Sequence, residues 1–205
     1  MTKLRIGKCL ECVDFPCEDV NHNCYNLPQI ALDPLAVKAI LISEAVPPDP
    51  EDDYYAGDNA AYARSTVQAF TQAGVSVSSF QDLLDMGFYF TSAVKCGKTG
   101  YGIKAATIKT CSFILEQELN LFPSVQAYLL MGDVAIKAVN YIAKRETNER
   151  AIPAGSTYKI RGGSFTFRSK PAFPSYLQVG PSFGIEKSKQ RMIAEDIARV
   201  MALLR

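Results

Sequence analysis

The residues with the plainest capacity for chemistry stand at the start of the chain. Four of the six cysteines fall within sixteen positions, as Cys9-x2-Cys12-x4-Cys17-x6-Cys24, and the only histidine, His22, lies among them. A C-x2-C pair suits a metal because the backbone between its members can turn both thiolates toward one ion or cluster. Structural cysteines normally sit singly inside apolar periodic segments, whereas these crowd a polar, proline-containing stretch. Two ligand arrangements are open. One is a local zinc knuckle built from Cys9, Cys12, Cys17 and either Cys24 or His22. The other is a cluster completed from afar by Cys96 and Cys111, which would clamp an arm of residues 1–30 onto a core of residues 31–205.

A second candidate is Glu44. It follows Val37 to Ser43 (VKAILIS), an apolar run of strand length without polar alternation, as expected of a strand buried on both faces. A carboxylate placed directly after such a strand is aimed into a crevice. The prolines at 47, 48 and 50 then force an extended loop.

The elements that must position these groups alternate. Asn59 to Ala73 has helical periodicity, Phe88 to Val94 is the second strand, and Lys104 to Leu121 is a helix behind the glycine-rich loop from Cys96 to Gly102. Val125 to Met131 is the third strand, and Asp133 is expected to N-cap a helix running to about Lys144. Arg145 to Gly155 reads as a surface loop, Tyr158 to Arg168 as a hairpin interrupted at Gly162-Gly163, Ala172 to Leu177 as a last strand, and Ile185 to Leu204 as an amphipathic helix. Such alternation predicts an α/β fold, three-layer αβα, with a central, mainly parallel four-stranded sheet. Ligands are then expected at the carboxyl ends of its strands.

Composition limits the partners. With 205 residues, 22 Lys plus Arg against 21 Asp plus Glu, and 48% hydrophobic residues, the chain reads as one soluble domain with an appendage. Near-neutrality excludes tight coating of duplex DNA, which takes many cations; any nucleic-acid contact must use a local patch. Lacking a signal-peptide pattern and any apolar run of membrane-spanning length, the chain is expected to be cytoplasmic, its cysteines reduced or metal-bound.

At the strand ends the sequence resembles the uracil-DNA glycosylase superfamily, closest to its iron-sulfur (family 4) branch. That branch has G-E-x-P-G, an acidic stretch and P-F-x-G; here Ser43-Glu44-Ala45-Val46-Pro47 is followed by Glu51-Asp52 and Tyr54-Tyr55-Ala56-Gly57. Its N-x-V-K-C is similar to Ser92-Ala93-Val94-Lys95-Cys96, with Cys111 beyond, and its L-G-x-x-A to Met131-Gly132-Asp133-Val134-Ala135. The resemblance implies a 4Fe-4S cluster on Cys9, Cys12, Cys96 and Cys111, with zinc as the alternative. It also implies Glu44 as the acidic catalytic or water-orienting residue, Tyr55 as the stacking ring, and Ala45, Ser92, Leu177 and Gln178 against the substrate.

The implied activity is excision of a damaged or deaminated base flipped out of single-stranded or lesion-containing DNA by a monomer. Such chemistry needs a ring to stack on, polar groups for the base edge, and charge to stabilise an oxocarbenium-like sugar and an anionic base. Where the family reads the base with Asn this chain has Ser92, which lacks the bidentate amide. Where the family carries its late catalytic His, Leu177 stands, followed by Gln178, an uncharged donor. The alternatives are a non-catalytic nucleic-acid-binding homologue and a metal- or redox-sensing protein. Phe183, read as a wedge or a core residue, and Ser182, with the cations Lys187, Lys189 and Arg191 after it, form a possible phosphate grip that Lys98 and Lys104 would extend.

Overall fold

The computed structural model describes residues 3–180, 183–184 and 186–204. Ser182, a candidate phosphate contact, and Ile185, the expected start of the last helix, lie outside them. Three two-residue strands shape the N-terminal segment: Leu4–Arg5 (β1), Val20–Asn21 (β2) and Ala31–Leu32 (β3). β1 pairs antiparallel with β3, so the segment closes on itself just past residue 30.

The apolar runs then form the sheet. Ala39–Ala45 (β4) and Phe88–Val94 (β5) pair in parallel, with Ser43 opposite Ser92. Gly97–Lys98 (β6) pairs back to β2, tying the glycine-rich loop to the N-terminal segment. Ala127–Met131 (β7), Phe165–Phe167 (β8) and Lys170–Ser175 (β9) complete a central sheet in the order β5-β4-β7-β9-β8, parallel except for β8. It thus has five strands, not the expected four. The hairpin lies not around Gly162-Gly163 but between β8 and β9, where Arg168 and Ser169 take positive φ angles of 51° and 61°, the handedness that matches the twist of paired strands.

Helices cover both faces: Ala61–Gln72 (α1), Phe80–Asp85 (α2), Ala105–Leu119 (α3), Asp133–Thr147 (α4), the single turn Thr157–Ile160 (α5) and Lys187–Leu203 (α6). Alternation along the strands sorts side chains between them. Ile40, Ile42, Tyr89, Tyr128 and Leu130 pack with α3 and α4, whereas Leu41, Phe88, Phe90, Leu129 and Met131 pack with α1, α2 and α6. Ile40, Leu41 and Ile42 are wholly buried, each worth roughly 1.5–3 kcal/mol of transfer free energy. Arg161 forks onto Asp196, holding α6 against the end of the sheet, where Ser175 also donates to Asp196.

The chain leaves β4 toward the face of α1 and α2, and leaves β7 toward the opposite face, that of α4. Neighbouring strands whose connections part in this way open a crevice at their carboxyl ends. Among the described residues no helix is long and apolar enough to cross a membrane.

Candidate functional site

Glu44 stands at that crevice, inside β4 rather than after it, because the strand continues through Ala45 opposite Val94. Its Oε2 lies 3.5 Å from the Lys98 ammonium, with side-chain exposures of 16% and 30%. Its Oε1 lies 3.5 Å from the amide of Val134, in the first turn of α4, where the positive end of the helix dipole favours an anion. Gly132 caps that helix at φ 97°, and a Cβ there would meet Glu44 Oε1 at 2.7 Å. Only glycine fits this close approach. Asp133 is the first helical residue, not the cap, and pairs with Lys137 at 2.5 Å.

Glu44, Ala45, Tyr62, Lys98, Tyr101, Leu177 and Val179 are among the residues lining a cleft of about 470 Å³. Tyr62 donates to the Ala45 carbonyl at 3.3 Å, and Tyr101, between two glycines, is fully exposed. Asp19 sets this loop: its carboxylate accepts from the Lys104 amide and the Thr107 hydroxyl, while its carbonyl accepts from Thr99. Burial pushes the Asp19 carboxyl up, but these donors prevail and hold it below its usual range.

The other expected substrate contacts are not brought to the cleft. The Tyr55 hydroxyl donates to the Phe90 carbonyl at 2.9 Å and accepts from the Phe90 amide at 3.0 Å. β5 is an edge strand, and this phenol supplies the partner its outer backbone groups lack. Ser92 is buried with its Oγ 2.9 Å from Ser43 Oγ, beside a void of about 10 Å³ shared with Asp53 and Lys95. That is room for about one water, not a base. Gln178, fully buried, donates to the Tyr54 hydroxyl at 3.0 Å, and its Oε1 has no partner among the described residues. Phe183 is a core residue rather than an exposed wedge.

The cysteines of the arm and those of the core are brought near one another. Burial, then the nearby thiols of Cys111, Cys12, Cys17 and Cys24, pushes the Cys96 thiol up to about 12. Cys111 is pushed up to about 11 by burial, opposed by the Lys95 amide on its sulfur at 3.2 Å and the Lys95 charge, and raised further by Cys17 and Cys12. Cys9 is exposed, its thiol 3.5 Å from the Arg5 carbonyl; Cys12 and Cys17 are the arm thiols that raise both Cys96 and Cys111. Cys24 is engaged by Asn21 Nδ2 and the Pro48 carbonyl, each at 3.1 Å.

His22 Nε2 lies 2.6 Å from the Cys17 carbonyl, which can only accept, so that nitrogen carries a proton. Nδ1 faces Cys96 Sγ at 3.3 Å. The lone histidine therefore serves the cysteine group and not the cleft. Among the described residues, no three His, Cys, Asp or Glu side chains converge closely enough for a single ion. Tetrahedral zinc would need thiolates about 3.8 Å apart. A multi-atom iron-sulfur cluster is held by cysteine thiolates that stand farther from one another.

No family model matches the chain, and no curated protein matches it.

Sequence reasoning passed over Lys95 as more than a motif letter. Its ammonium pairs with Glu118 at 2.5 Å and donates to Thr91 at 2.7 Å, its amide donates to Cys111, and its carbonyl accepts from Asn26. A lysine directly after a seven-residue uncharged strand was the available signal.

Proposed function

We propose that the protein is a uracil-DNA glycosylase-like nucleic-acid-binding protein that receives an unpaired nucleotide of single-stranded or lesion-containing DNA in the cleft beside Glu44. The observation that carries this reading is a half-buried carboxylate at the carboxyl end of β4, flanked by a cation and a helix N-terminus, with the exposed Tyr101 ring on the same cleft. An exposed ring on a glycine-flanked loop is a stacking surface for a base, and Lys98 is a contact for a phosphate. Binding is favoured over excision because Tyr55 and Ser92, the ring and the base-edge contact of the resemblance, are committed elsewhere.

Glycosidic cleavage is the second reading, and Glu44 alone favours it. A carboxylate beside the sugar can stabilise an oxocarbenium-like centre or orient water. Cys12, Cys17, Cys96 and Cys111 would hold an iron-sulfur cluster that ties the arm to the core. Through β2, β6 and Asp19 the arm in turn fixes the loop bearing Lys98 and Tyr101.

The test is to mix the purified protein with labelled single strands carrying uracil, hypoxanthine, xanthine or ordinary bases. Binding without strand scission after alkali supports the first reading. Scission that is lost in Glu44→Gln supports the second, and no binding at low salt contradicts both.

A further inference from the structure

A second cavity, of about 400 Å³, runs along one face of α4 from Asp133 to Lys144, between that helix and the 150–155 loop. Its wall combines apolar surface from Ile136 and Pro153 with the side chains of Tyr141, Lys137, Lys144 and Arg150. Lys137 is engaged by Asp133 at 2.5 Å. Lys144 and Arg150 are exposed, and among the described residues neither forms a salt bridge.

The far wall is fixed. Asn140 reads Ile152 as a strand neighbour would, donating to its carbonyl and accepting from its amide, both at 2.9 Å, and the Ile152 side chain is wholly buried. Two exposed cations thus stand at the rim of an apolar floor, Lys144 on α4 and Arg150 on the loop that Asn140 anchors through Ile152. An apolar floor with cations at its rim suits a nucleotide, ring against Pro153 and Tyr141, phosphate against Lys144 and Arg150.

The groove also adjoins the cleft. α4 offers the Val134 amide to Glu44 on one side and Asp133 to the groove on the other, and Ala105, three residues past the glycine-rich loop, lines the groove. We propose that this groove is a second nucleotide subsite, which takes the phosphate and base of a residue further along the same single strand. The inference rests on the reading of the cleft and extends it. A near-neutral chain needs such a local patch, because affinity for a polyanion comes largely from released counterions.

The experiment uses the full chain and fluorescein-labelled oligothymidylates of about 4 and about 12 nucleotides, titrated by anisotropy at several salt concentrations. The Lys144→Gln/Arg150→Gln variant alters only exposed side chains, and its thermal unfolding is recorded to verify the fold. For the longer strand, affinity is expected to fall roughly tenfold and the log–log salt slope by about 0.7, the amount one lost phosphate contact removes. Binding of the shorter strand is expected to change less than twofold. If the variant matches wild type on the longer strand while Lys98→Glu weakens both strands, the groove is no subsite and the cleft reading stands. If wild type binds neither strand at low salt, both fall.

Discussion

Two glutamate–lysine pairs stand near the carboxyl ends of neighbouring strands, and they are built to opposite ends. Lys95 and Glu118 are 1% and 0% exposed and meet at 2.5 Å, with the carboxylate also accepting from Tyr89 and Thr91. Glu44 and Lys98 are 16% and 30% exposed and stand 3.5 Å apart over a cleft. The first pair is closed: its hydrogen-bonding capacity is spent inside the protein, on the hub that joins the N-terminal segment, the cysteines and α3. The second is open, with a carboxylate and an ammonium still free to take another partner. The same two residue types therefore mark structure in one place and a candidate site in the other. The distinction lies in what else the groups touch.

The largest effect that would sharpen this contrast is expected from Glu118→Gln. It leaves Lys95 buried without its counter-charge, and stability measured by urea unfolding should fall by about 3–5 kcal/mol. Replacing both partners, as Lys95→Met with Glu118→Leu, should recover much of that loss. Glu44→Gln should cost no more than about 1 kcal/mol, because its pair is loose and reached by water. Equal losses at the two glutamates would erase the contrast.

The cysteine group gives the next effect. Cys12→Ala, Cys17→Ala, Cys96→Ala and Cys111→Ala should each abolish bound iron and absorption near about 400 nm in anaerobically purified protein. Cys9→Ala should retain both. Loss of colour in Cys9→Ala with retention in Cys17→Ala would return the assignment to the set implied by the family resemblance.

A small effect is expected at the capping box of α2, where Ser79 and Asp82 exchange hydrogen bonds. The amides of Ser78 and Ser79, then the Ser78 hydroxyl, hold the Asp82 carboxyl down to about 2. A carboxyl lowered by folding contributes stability above its unfolded value near 3.8 and loses it as pH falls through the folded one. Asp82→Asn should therefore lower the Tm modestly at neutral pH, by less than Glu118→Gln does, with the difference closing as pH approaches 2. A difference that does not vary with pH would show that the carboxylate charge is not what the cap uses.

Legibility in the sequence followed the strength of local signals. β5 coincides with its reading, Phe88–Val94, because an uncharged run rich in aromatic and β-branched residues lies between Gly87 and Lys95. β4 ran past its expected end at Ser43 because Ser43 and Ala45 are paired to β5, a tertiary contact that no local pattern announces. α2 was missed: six residues are too few to display a period, although Ser79 with Asp82 was a usable start signal. β8 lies within the expected Tyr158 to Arg168 hairpin, but its partner is β9 rather than an arm before Gly162, because the real turn uses Arg168 and Ser169 at positive φ, without glycine.

At the site, Glu44 was legible from its position at the end of an apolar strand, whereas Ala45 and Leu177, which line the same cleft, came from the family resemblance alone. Nothing in the neighbourhood of Tyr55 reveals that an edge strand will claim its hydroxyl. Tyr101 was passed over within a glycine-rich run whose shape depends on Asp19, eighty-two residues earlier.

The central claim is that the cleft beside Glu44 holds an unpaired nucleotide, and the most direct test is anisotropy titration of a fluorescein-labelled single strand with wild type and Tyr101→Ala. Loss of one stacking ring is worth about 1–3 kcal/mol, so the variant should bind roughly 5- to 150-fold more weakly at the same salt. Equal affinity of the two proteins, or no binding by wild type at low salt, would contradict the account.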